Sequence, residues 1–161
     1  MTLQIATELE RETSLFHLNP KSAPVSSYPT RKLPVLIYVH GGAFSIGSAF
    51  SEFYTNYVSS LVASSNVIAV SADYRLAPEN PIPACYDDSW EVFKWVASHG
   101  SGSGSDPWLT NDADFNRVFV AGDSAGANIG HDIVSRVGSD QDGVGMEISG
   151  LVLVHILAVM R

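Results

Sequence analysis

Cysteine is almost absent from this 161-residue chain: Cys85 is the single one, so no disulfide can close within it. A lone thiol fits a reducing compartment, and Cys85 reads as a small apolar side chain. Basic residues are also scarce, nine Lys and Arg against seventeen Asp and Glu, which leaves a net charge of −8. The basic residues are scattered and form no patch, and an acidic chain repels phosphate backbones, so a nucleic-acid-binding role is excluded. The opening MTLQIATELERET has no basic segment and no long apolar run, which argues against a secretory signal. Nowhere is there the stretch of ~20 apolar residues that a membrane span needs. The most apolar segment, ISGLVLVHILAVM (148–160), is shorter, contains Ser149, Gly150 and His155, and reads as a buried strand with a tail. No internal repeat is present. These absences leave a soluble, cytosolic, globular chain with 45% apolar and 16% charged residues. Its expected partner is a small molecule, with no nucleic acid and no membrane, and nothing in the composition sets an oligomeric state.

Turn-forming residues divide the chain. PKSAPVSSYPTRKLP (20–34) and HGSGSGSDP (99–107) are rich in Pro, Ser and Gly and read as loops. Between them lie four short runs: VLIYVH (35–40), VIAVSAD (67–73), RVFVAG (117–122) and SGLVLVH (149–155). Each is nearly continuous in apolar residues and rich in Val and Ile, as strands buried on both faces of a parallel sheet are. Three stretches with helical spacing separate them. Phe50, Tyr54, Tyr57, Val58, Leu61 and Val62 mark the first. Trp90, Phe93, Val96 and Ala97 mark the second, after Pro83. Ile129, Ile133, Val134 and Val137 mark the third, with Gly126 and Gly130 allowing close approach to a sheet. Strands alternating with such helices predict right-handed βαβ units, hence an α/β fold with a mostly parallel sheet and helices on both faces, in a single domain over 1–161. TSLFHLNP (13–20) would add an antiparallel edge strand.

Three motifs carry candidate chemistry. GDSAGAN (122–128) contains Gly-x-Ser-x-Gly, a pattern that chance alone produces in about one chain in twenty of this size. Here it joins a predicted strand to a predicted helix, the setting of a nucleophile elbow, so Ser124 is a candidate nucleophile. The same position would also suit a plain N-cap of the third helix. YVHGGAF (38–44) follows the first strand directly. Its small residues let backbone N–H groups turn into a cleft, so Gly42 and Ala43 together with Ala125 could serve an oxyanion, with Gly41 shaping the loop. A simple strand-to-helix turn is the alternative. His40 is open to two roles, a base or a brace for its loop, and the brace is favoured. In SADYRLAPENPIPACYDD (71–88), Arg75 could brace loops near the site, pairing with Asp73 or Glu79. His131 lies too far along its helix from Ser124 to reach it, and with Asp132 it reads as surface. His155 is a geometric outsider, while His99 and His17 have no usefully spaced carboxylate. No His, Cys or Asp cluster has metal-ligand spacing.

Taken together and in order, HGGAF, DYRLAPE and GDSAGAN resemble the hormone-sensitive-lipase-like branch of the α/β hydrolases. Within it the similarity is closest to plant carboxylesterases, which are similar to the gibberellin receptor. The linking segments YDDSWEVFKWVASH and DPWLTNDADFNRVFVAGDSAGANIGH agree, and the resemblance covers residues 31–155. It implies an α/β-hydrolase fold and hydrolysis of small-molecule carboxylic esters by a Ser-His-Asp triad, with no metal or cofactor. It implies Ser124 as nucleophile and Gly41, Gly42, Ala43 and Ala125 as the oxyanion region, Ala43 standing where many members have a third Gly. In that family the triad Asp and His come later in the chain than the serine. The strands that carry them find no counterpart after His155, so the chain reads as a partial, truncated hydrolase domain bearing the nucleophile half of the machinery. Two other functions fit the resemblance: a non-catalytic small-ligand binder similar to the gibberellin receptor, and a truncated product without function.

Overall fold

The computed structural model describes residues 2–6, 14–19, 32–139 and 143–156. Six strands form one sheet in the order β1-β2-β4-β3-β5-β6: β1 Thr2–Ala6, β2 Ser14–Asn19, β3 Leu33–Val39, β4 Ile68–Asp73, β5 Ala113–Asp123 and β6 Gly150–Val154. The four strands β4, β3, β5 and β6 are mutually parallel, and β2 and β1 run antiparallel on the β4 side. The four apolar runs are therefore the parallel strands. The 13–20 segment does form an antiparallel strand, but not the edge. Thr2–Ala6 pairs outside it, so β1 takes the rim and β2 sits between β1 and β4.

Four helices connect the parallel strands: α1 Glu52–Ser65, α2 Ala84–Gly100, α3 Pro107–Asp112 and α4 Ala125–Ser139. The first starts at the Ser51 cap, whose side chain accepts the Tyr54 N–H, and stops at Asn66, which adopts the left-handed conformation at φ 54. The second starts directly after Pro83. The short α3 was not expected from helical spacing. It is set by Asp106, whose carboxylate accepts the N–H groups of Trp108 and Leu109, with Pro107 at the first position.

Alternation along β3 divides the core. Val35, Ile37 and Val39 point to the side covered by α2 and α4, among Trp90, Phe93, Val96, Ile129 and Ile133. Tyr38 points the other way, with Ala69 and Ala121 against Val58 and Val62 of α1. Helices thus cover both faces of the parallel part, as expected. Full burial of side chains such as Phe93 and Ile37 contributes about 1.5–3 kcal/mol each. Because the four strands run the same way, the loops after β3, β4 and β5 all open at one edge, and all three motifs lie there.

Candidate active site

Ser124 stands between the end of β5 and the first residue of α4. Its φ is +51, in the left-handed region that a side chain seldom adopts. Glycines make the corner possible. A Cβ on Gly126 would lie 2.1 Å from the Val39 carbonyl oxygen, and one on Gly122 would lie 2.5 Å from backbone atoms of Gly126. Helix α4 is thereby pressed onto the end of β3, which sets Ala125 beside the 40–43 loop. On the other side, the Ser124 N–H donates to the Val154 carbonyl of β6 at 2.8 Å. Among the described residues, the Ser124 hydroxyl takes no hydrogen bond, so it does not cap α4, and an N-cap would have extended rather than left-handed backbone.

The loop after β3 is equally constrained. Gly42, Ala43 and Phe44 all have positive φ, at 111, 51 and 63. A Cβ on Gly42 would fall 1.9 Å from the Ile46 carbonyl oxygen, so only glycine fits that turn. The Gly42 carbonyl accepts the N–H groups of Ser45 and Ile46. Among the described residues the N–H groups of Gly42, Ala43 and Ala125 have no partner. The Gly41 N–H does have partners: it donates to Asp123 Oδ1 and to the Tyr54 hydroxyl, each at 3.0 Å.

Asp123, beside the serine, is the anchor that spacing did not reveal. Its carboxylate accepts the Tyr38 hydroxyl at 2.8 Å, the Tyr54 hydroxyl at 3.0 Å and the Gly41 N–H. Burial and this carboxylate push the Tyr54 phenol up to about 12 and the Tyr38 phenol higher still, so both stay protonated and donating.

His40 is wholly buried and stacked on Tyr74, with ring centroids 4.2 Å apart and planes 9° from parallel. Its Nδ1–H donates to the Gly41 carbonyl at 2.6 Å. The Nε2 atom faces Asp73 Oδ1 at 3.8 Å, beyond hydrogen-bond length, and has no partner among the described residues. Burial lowers its pKa below the ordinary histidine value, with the Gly41 bond and Asp73 opposing the shift. Its ring therefore braces the loop. The loop after β4 closes the arrangement: the Ala77 N–H donates to the Phe44 carbonyl and Asp73 accepts the Ala49 N–H. Arg75 does brace this loop, and it does so through a residue of α2. The guanidinium forms a two-pronged pair with the fully buried Asp88 of α2, at 2.7 and 2.8 Å.

The other imidazoles have separate settings. His131 is exposed on α4, and Asp132 pairs with Arg136 at 2.7 Å. His99 donates to the Trp95 carbonyl and accepts the Asp106 N–H, tying α2 to α3. His155 is exposed, directly after β6. The side chain of His17 lies outside the described residues. Cys85 is buried and its thiol is pushed up to about 11 by burial, so it stays protonated. Two cavities, of about 330 Å³ beside Trp90 and Arg136 and about 380 Å³ between α1 and β6, do not include Ser124 in their linings. No cluster of three or more His, Cys, Asp or Glu able to hold a metal occurs among the described residues, and no described helix is long and apolar enough to cross a membrane.

Residues 36–159 match the alpha/beta hydrolase fold family. The chain is 48% identical over 143 residues to a probable carboxylesterase 13 of Arabidopsis thaliana, covering 86% of this chain and 44% of that protein. It is 45% identical over 132 residues to a 2-hydroxyisoflavanone dehydratase of Glycyrrhiza echinata, covering 80% of this chain and 40% of the relative. Among solved structures, a thermophilic and thermostable carboxylesterase cloned from a metagenomic library superposes with a TM-score of 0.79 at 26% identity, over 99% of this chain and 48% of its own. The chain thus spans less than half the length of each of these relatives.

Proposed function

The chain belongs to the alpha/beta hydrolase fold family, and from that premise we propose that it acts on small-molecule carboxylic esters with Ser124 as the nucleophile. The observation that carries this reading is a serine hydroxyl unused by the fold, on a left-handed corner, beside a loop whose backbone is held at positive φ. The Ser124 oxygen attacks the ester carbonyl carbon, and the N–H groups of Gly42, Ala43 and Ala125 take the oxyanion. The start of α4 adds its positive end to the same place. Gly41 serves through its conformation, since its N–H is taken by Asp123 and Tyr54. The serine proton must pass to a base and return to the leaving alcohol. Among the described residues no imidazole is bonded to Ser124, so its proton passes to solvent and the expected Ser124-dependent rate is slow. A cytosolic setting goes with this reading and is supported by the single, buried Cys85.

Hydrolysis of p-nitrophenyl acetate by the unaltered chain and by Ser124→Ala tests it. A rate that depends on Ser124 is expected, and equal rates would remove the serine from the chemistry. A second reading, elimination of water from a hydroxylated small molecule at the same corner, is favoured by the relative named a 2-hydroxyisoflavanone dehydratase. Dehydration of that flavonoid, with no Ser124-dependent ester cleavage, would select it.

A further inference from the structure

The Gly41 carbonyl receives two donors, the His40 Nδ1–H at 2.6 Å and the Tyr74 hydroxyl at 3.2 Å. The same Tyr74 hydroxyl also reaches the His40 carbonyl at 2.9 Å, so one proton is shared between consecutive peptide oxygens. Tyr74 itself is immobilised: it is 3% exposed and lies flat against the His40 ring. The Gly41–Gly42 peptide is not among the cis bonds of the described chain, so its C=O and N–H point in opposite directions. Whatever fixes the Gly41 oxygen therefore fixes the direction of the Gly42 N–H.

We infer that Tyr74 is a positioning residue for the main-chain donors of the 42–43 loop, acting by clamping the His40 and Gly41 carbonyls from the side opposite the cleft. The inference rests on the ester-hydrolase reading for its kinetic consequence, though not for its structural one. The phenol is suited to the task because burial raises its pKa, which keeps the proton on the oxygen at any working pH. Its bond to the His40 carbonyl acts on the same peptide whose Gly41 N–H the Asp123 anchor holds, and its bond to the Gly41 carbonyl adds a hold on the next peptide, which Asp123 does not touch.

The test compares the full chain with Tyr74→Phe, which keeps the ring and its stacking and removes only the hydroxyl. Backbone amide order parameters are measured at Gly42 and Ala43, with Val35 and Ile37 of β3 as internal reference. The expected result is a fall at Gly42 and Ala43 from about 0.85 to below about 0.6, with the β3 values unchanged. The Ser124-dependent kcat for p-nitrophenyl acetate falls about tenfold, while KM changes less than twofold, as loss of a transition-state donor requires. Unchanged order parameters at Gly42 and Ala43 overturn the inference, as does an unchanged kcat or a loss confined to KM. If the loop loosens but the parent chain has no Ser124-dependent rate, the clamp stands and the ester-hydrolase reading falls. If Tyr74→Phe does not fold, the unaltered chain decides: order parameters below about 0.6 at Gly42 and Ala43 show an unclamped loop and overturn the inference.

Discussion

Asp123 and Gly41, 82 positions apart in the chain, are joined by a 3.0 Å hydrogen bond from the glycine N–H to the carboxylate. That bond ties the loop after β3 to the corner after β5. It leaves the Gly41 N–H spoken for, whereas the next two N–H groups have no partner among the described residues. Tyr38 and Tyr54 complete the carboxylate's shell. Its three hydrogen bonds thus tie the corner to β3, to α1 and to the loop between them.

Asp123→Ala is expected to cost about 3–5 kcal/mol, because three partly buried donors lose a charged acceptor together. Asp123→Asn keeps one carbonyl oxygen and should lose about half as much. Urea unfolding of both variants measures this, and midpoints equal to that of the parent chain would refute the anchoring role.

Gly126→Ala places a methyl group 2.1 Å from the Val39 carbonyl oxygen and 2.5 Å from that of His40. Neither backbone atom can move aside without separating α4 from β3, so a loss of about 3 kcal/mol is expected. Gly138→Ala, in the same helix but with no heavy atom within 4 Å of the new Cβ, should instead gain up to about 1 kcal/mol. Thermal unfolding of the two variants should shift in opposite directions, and a shared direction would contradict the packing argument.

The buried His40 makes stability depend on pH with a definite sign. Burial holds its folded pKa below the unfolded value of about 6.5, although the Gly41 carbonyl, Asp73 and Asp123 pull it upward. Between the two values the unfolded chain binds more protons, so stability rises with pH there. The contribution is complete above about pH 6.5 and is lost as the pH falls through that value toward the folded pKa. His40→Gln should flatten the slope of unfolding free energy between about pH 7 and pH 5, the steepest possible difference being about 1.4 kcal/mol per pH unit. Identical slopes for the two proteins would show that His40 does not titrate on unfolding.

Much of the fold was legible because burial on both faces leaves short, nearly continuous apolar runs rich in Val and Ile within β3, β4 and β5. Helical spacing likewise exposes the faces of α1, α2 and α4. The Gly-x-Ser-x-Gly corner was visible because steric closeness at Gly122 and Gly126 demands glycine. Other features escaped because they depend on partners distant in the sequence. The sequence offers Asp73 and Glu79 as possible near partners for Arg75 but gives no sign of Asp88, which helix α2 turns into its path. Asp123 gave no hint of its bond to Gly41, since no periodicity links positions on different strands. The position of β2 depended on β1, whose five residues carry too little pattern to stand out. Helix α3 did announce itself through Asp106 and Pro107, a capping signal that the absence of helical apolar spacing masked.

Ser124 is translated well before the carbonyl that clasps it. Its N–H is held by the Val154 carbonyl of β6, so that hydrogen bond cannot form until β6 has been made. Synthesis proceeds from the amino end, and folding follows it. The last tie on the corner therefore comes from a strand made after the motif whose glycines shape it.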